Sequence, residues 1–154
     1  MSGISNEMQD PAPARGFAVS GLGEIAIRCI DFAAMTAFYR DTLGLELLAD
    51  RGGIVFFRLG NGVEGHTAVL ALFDPGLNPE RGDPAQRSST LHHVALSLSQ
   101  ADQTAACAWF DATGVGYTVQ DFRWIGWRGV FLTDPDGNTV ELVSAGWPVR
   151  ADHL

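Results

Sequence analysis

The sequence predicts an α+β fold built from two βαβββ repeats that curl into a mixed β-sheet cavity. Three observations predict it: a copied first strand, a copied helix, and a tight hairpin signal late in each half. Leu22-Gly23-Glu24-Ile25-Ala26-Ile27 matches Leu91-His92-His93-Val94-Ala95-Leu96, with Glu24 standing 69 positions before His93. Self-similarity of this kind is the signature of a duplicated supersecondary unit. Phe38-Tyr39 likewise matches Trp109-Phe110 at a spacing of 71. Asn61-Gly62 and Asp136-Gly137 are the hairpin dipeptides, because Asn or Asp before Gly accepts the positive φ angles of a tight reversal.

In chain order, the apolar residues of 22–27 form the first strand. Asp31 is the expected N-cap of a helix whose buried stripe is Phe32, Met35, Phe38 or Tyr39, and Leu43, ended by Gly44. Three short strands follow, at 46–49, 54–59 and 67–73. The second repeat starts with a strand at 91–96. Ser99-Gln100-Ala101-Asp102 then offers a capping-box-like start to a helix with stripe Ala105, Ala108, Trp109 and Ala112, ended by Gly114. Strands at 116–120, 129–133 and 138–143 complete it. Val69-Leu70-Ala71-Leu72 aligns with Val140-Glu141-Leu142-Val143 at a spacing of 71.

This organisation gives a flexible N-terminal segment over 1–20, one domain over 21–147 and a tail over 148–154. Within the domain, repeat one covers 21–74, a polar, proline-containing linker 75–90, and repeat two 91–147. A chain of 154 residues that is 46% hydrophobic suits one core and no second domain.

The net charge of −8 leaves no basic footprint for nucleic acid or an anionic membrane surface, so neither is an expected partner. All ten basic residues are Arg, which excludes a Schiff-base lysine and a Walker-type phosphate lysine. Cys29 and Cys107 fall in a strand and a helix pattern and read as buried, reduced thiols. No apolar run reaches membrane-spanning length. Residues 1–20 hold no secretory core, so a cytoplasmic setting is the default expectation.

Three segments then resemble the vicinal oxygen chelate superfamily, which includes glyoxalase I, extradiol dioxygenases, fosfomycin-resistance proteins and bleomycin-binding proteins. They are Phe38-Tyr39-Arg40-Asp41-Thr42-Leu43-Gly44-Leu45, His92-His93-Val94-Ala95-Leu96, and Asp134-Pro135-Asp136-Gly137-Asn138-Thr139-Val140-Glu141-Leu142. The resemblance implies an open cavity with metal ligands on the first and last strand of each repeat. Four positions transfer: Glu24 and Leu70, then His93 and Glu141. Leu70 cannot ligate, so His93, Glu141 and Glu24 are the expected protein ligands of one divalent metal ion. One imidazole with two carboxylates suits Mn, Fe, Ni or Zn. Such an ion would take vicinal oxygens of a small-molecule substrate, with Glu24 or Glu141 moving protons as catalytic groups. The resemblance also suggests a homodimer.

The residues themselves bear on this. An ionised Glu141 between Val140 and Leu142 is costly unless a cation or donors compensate it; an arginine such as Arg128 or Arg28 is the alternative to a metal. Strand alternation sends His92 to the face opposite His93 and counts it out as a ligand. His66 falls by the same alternation on the face of Leu70, at the rim of the cavity. Phe122, Trp124 and Trp127, with Arg123 and Arg128, cluster before the penultimate strand and suit a wall that binds an aromatic or planar substrate held by an arginine. Trp109 and Phe38 are assigned to packing.

Two functions follow as expectations. The first is a metal-dependent enzyme with glyoxalase-like lyase or isomerase chemistry. Fe(II) extradiol dioxygenase chemistry is less favoured, because Glu24 stands where that pattern wants histidine. The second is a metal-free small-molecule binding protein of the bleomycin-resistance type, favoured by the missing ligand at Leu70.

Overall fold

The computed structural model describes residues 21, 22, 24–62, 66–76, 92–124 and 126–150. The expected N-terminal segment, most of the linker and the last four residues lie outside them.

Two four-stranded mixed sheets form the frame. The first has the order β1-β4-β3-β2, from β1 (Glu24–Arg28), β2 (Leu47–Asp50), β3 (Ile54–Asn61) and β4 (Thr67–Phe73). The second repeats the plan as β5-β8-β7-β6, from β5 (Val94–Ser97), β6 (Thr118–Phe122), β7 (Trp127–Thr133) and β8 (Thr139–Ala145). In each sheet the outer strands β1 and β5 run parallel to β4 and β8, and the other pairings are antiparallel. The two βαβββ repeats are thus as expected.

The helices differ in detail. Asp31 caps α1 (Phe32–Ala37) by accepting the Ala34 N–H, but α1 then widens into a π-turn over Phe38–Thr42, where Leu43 N–H donates to the Phe38 carbonyl. Helix α2 (Gln100–Thr113) carries the expected Ser99 cap and the left-handed Gly114 at φ +73°. Its buried stripe is not the one the periodicity suggested. Gln103 and Phe110 are buried with Ala106 and Cys107 partly so, whereas Trp109 stays half exposed and donates its indole N–H to Thr42 O. Gln103 is buried at no polar cost, since its amide donates to Arg128 O and Leu142 O and accepts from Ser144 Oγ.

A single apolar core joins both repeats. Ile27, Val55, Phe57, Leu70 and Leu72 from the first sheet pack with Val130, Leu132, Val140 and Leu142 from the second, and with Met35, Tyr39 and Phe110. Each fully buried side chain of this kind contributes about 1.5–3 kcal/mol before entropy is counted.

The 134–138 turn ties the repeats together. Buried Asp134 accepts from the Tyr39 phenol at 2.9 Å, from Asn138 N and Nδ2 at 2.8 Å each, and from Asp136 N at 3.1 Å. Asp136 accepts from Ile30 N and Asp31 N, at the mouth of α1. Asp134→Ala is expected to cost about 3 kcal/mol in urea unfolding and Tyr39→Phe about 1 kcal/mol, because the first strips four donors of their acceptor and the second removes one bond.

Burial, reinforced by the charge of Asp136, pushes the Cys29 thiol from its ordinary 9.0 up to about 12. The unfolded thiol ionises first, so its stabilising contribution is complete below about pH 9 and is lost as pH rises toward 12. Burial and the neighbouring Asp134 also hold the Tyr39 phenol well above the usual range, adding to the same alkaline loss. A thiol reagent at pH 8 is expected to label half-buried Cys107 in the native protein and Cys29 only after denaturant is added.

Candidate functional site

The outer face of the second sheet carries the candidate chemistry. Register puts Ala95, Glu141 and Phe131 side by side, with Gly129 beside Val143 and Phe122 beside Trp127. His93 stands just before β5, outside the strand in which the sequence pattern put it. Its Nε2 stands 3.3 Å from Glu141 Oε2; the imidazole is 35% exposed and the carboxylate 8%. The expected pair is therefore brought together, and Glu141 is compensated by His93 rather than by an arginine.

Gly129 makes that burial possible. A Cβ there would collide with Glu141 Oε1 and come within 2.6 Å of Phe131 Cε2. Phe131 in turn lies edge-on to His93, centroids 6.4 Å apart, and Phe122 continues the wall 6.3 Å from Phe131.

His92 lies against His93, although strand alternation would have sent it to the opposite face. The two histidines precede the strand proper, so the pleat does not separate them, and their Nδ1 atoms are 2.7 Å apart. That contact needs exactly one proton. If His92 supplies it, His93 carries its other proton on Nε2 and donates to Glu141. If His93 supplies it, Nε2 keeps a lone pair that only a cation or an added proton reconciles with the carboxylate.

The other candidates separate. Glu24 is exposed on β1 and pairs in register with Val69, on the face opposite Ile25 and Ile27. Leu70 lies on the core face; the position matching Glu141 is Ala71, because Ala26 pairs with Ala71 as Ala95 pairs with Glu141. The ladder thus corrects the sequence alignment by one residue, and no ligand exists at either residue. His66 is exposed at the start of β4, where its carbonyl accepts from Gly62 N. Trp124 is 74% exposed in the β6–β7 turn and Trp127 44% exposed. Arg128 points to the opposite face from Glu141, in a bidentate pair with Asp121 and 3.6 Å above the Trp147 ring. Among the described residues no hydrogen bond or ion pair joins Glu24, His66 or Arg128 to His93 or Glu141.

A spacing of 3.3 Å between an imidazole nitrogen and a carboxylate oxygen fits two adjacent ligands of one ion with bonds of about 2.0–2.2 Å. The pair fits a divalent metal in that sense, but the described residues contain no cluster of three such donors. A cavity of about 510 Å³ lies elsewhere, between residues 42–45 and α2, and is walled by Leu96, Leu98, Trp109 and Phe110.

The family profile described as the glyoxalase/bleomycin resistance protein/dioxygenase superfamily matches residues 21–142. The chain belongs to this superfamily. Among solved structures similar to this chain, a lactoylglutathione lyase from Agrobacterium tumefaciens is 27% identical, with a TM-score of 0.62 over 82% of this chain and 95% of its own. An antibiotic-binding protein from a Streptomyces species is 24% identical, at 0.61 over 84% and 99%. The fosfomycin-resistance protein of Listeria monocytogenes is 19% identical, at 0.60 over 84% and 96%. The last two likenesses show the shared fold. No curated protein sequence matches.

Gly129→Ala is expected to destabilise the fold by about 1–3 kcal/mol through overpacking against Glu141 and Phe131. Gly116→Ala, which meets open space, is expected to be near neutral in the same urea titration.

Proposed function

We propose that the protein is a metal-dependent enzyme of the superfamily, with lyase or isomerase chemistry on a small oxygenated substrate. The His93–Glu141 contact carries this reading. A buried carboxylate meeting an imidazole between apolar neighbours is costly to maintain for packing alone, and a chain that only sequestered a ligand would have no use for it. The two residues supply one nitrogen and one oxygen donor, suited to Mn, Fe, Ni or Zn, and a bound ion would act as a Lewis acid toward substrate oxygens.

Within the chain, His92 orients His93 through the shared Nδ1 proton. Glu141 holds the proton balance of the pair, and Phe122 and Phe131 exclude water from one side. Glu24 is the third donor and the second proton-moving carboxylate. Both repeats turn their helix-side faces into one core, leaving the Glu24 face and the Glu141 face turned outward. In this reading Glu24 of a second copy completes the site in a homodimer, and the outward turn of both faces supports it.

A second reading is a metal-free binding protein, favoured by the exposure of Glu24 and by the alanine at 71. Elemental analysis after exposure to Mn(II), Fe(II), Ni(II) or Zn(II) separates the two. Near-stoichiometric metal is expected in the wild type, at least a tenfold loss of affinity in His93→Ala and in Glu141→Ala, and a smaller loss in Glu24→Gln. A wild type that retains none of the four metals would sink the enzyme reading in favour of the binder.

A further inference from the structure

The side of the second sheet away from Glu141 holds a second, differently built cavity. It measures about 330 Å³ and is lined by Arg123, Arg128, Arg150, Trp127, Trp147 and Asp121, with Pro148 at its edge. Three of the ten arginines of a chain carrying net charge −8 thus converge where the backbone brings β6, β7 and the segment after β8 together. With one carboxylate among three guanidiniums, the lining is cationic against an acidic background.

The cavity is rigidly assembled. The Trp147 indole donates to Ser144 Oγ at 2.7 Å, and Ser144 donates to the buried Gln103 amide, which also holds Arg128 O. Arg128 lies 3.6 Å over the Trp147 ring while its Nε and Nη2 engage Asp121. Trp147 N donates to Gly126 O, and a Cβ at Gly126 would stand 2.7 Å from Trp147 O, so the strand turn and the C-terminal segment touch through glycine. Arg150 N then donates to Arg123 O, which joins the backbones of those two arginines, and both line the cavity. Among the described residues neither Arg123 nor Arg150 has a salt bridge of its own, although the Arg123 charge reaches Asp121.

The Trp147 indole and two arginine forks without salt bridges have complementary preferences. The ring takes a flat apolar body, and the forks take a planar oxyanion, bidentate where geometry permits. The volume, at the small end of ligand cavities, admits one or two fused rings. We propose that this cavity is a binding site for a small planar aromatic carboxylate, separate from the His93–Glu141 site.

Isothermal titration with 1-naphthoate, 1-naphthalenemethanol and inorganic phosphate tests it on the full chain. Saturable 1:1 binding of naphthoate is expected, at least tenfold tighter than the neutral alcohol or phosphate, and weakening with added salt. Arg123→Ala/Arg150→Ala is expected to lose at least tenfold in naphthoate affinity while its thermal melt is unchanged. His93→Ala/Glu141→Ala is expected to bind naphthoate as the wild type does. Equal binding of the alcohol, equal binding of phosphate, or an unaltered arginine double variant would each overturn the proposal. So would loss of naphthoate binding in the His93/Glu141 variant, which would assign the ligand to the other face.

Discussion

Buried Asp134 sets the frame on which both faces of the second sheet depend. Its carboxylate is removed from water and retained only because four donors meet it, one of them the Tyr39 phenol from the other repeat. An unpaired buried carboxylate would cost several kcal/mol, so the turn and the first helix are obliged to meet. Asp136, from the same turn, holds the backbone at the entrance to α1. The turn also links β7 to β8, and therefore sets where Glu141 stands opposite Phe131. One local motif closes a hairpin, joins the repeats and fixes the register of the candidate site.

On that frame the two faces of the second sheet do different work. The outer face buries one carboxylate in a niche that glycine at 129 leaves open, and gives it a histidine whose tautomer is governed by its neighbour. The opposite face collects guanidiniums and indoles at the strand ends. Strand alternation separates their central residues: Arg128 and Phe131 lie three residues apart on β7, yet one stacks on Trp147 and the other faces His93.

Much of the architecture was legible in advance because it rests on local chemistry. Asp31 and Ser99 cap their helices, Gly44 and Gly114 end them in left-handed conformations, and Asp136-Gly137 turns the last hairpin. His93 and Glu141 were legible through motif and repeat together. The alignment of Leu70 with Glu141 was one residue out, since the loops of the two repeats differ in length and only ladder hydrogen bonds set which residues are level. Trp109 was misread as core because periodicity identifies a helix face without saying what covers it; the face that is covered runs through Gln103 and Phe110.

The sequence by itself determined the duplicated βαβββ plan, the superfamily, and the presence of an imidazole and a carboxylate in corresponding apolar strands. Caps, turns and period-two patterning act between near neighbours, so they are written in the order of residues. Only the tertiary structure decided that His92 shares a proton with His93, that Glu24 stands apart from the pair, and that Arg128 serves the opposite face. Those outcomes depend on where a strand begins and which residues lie level across a ladder. Such long-range geometry is set by the packing of the whole core.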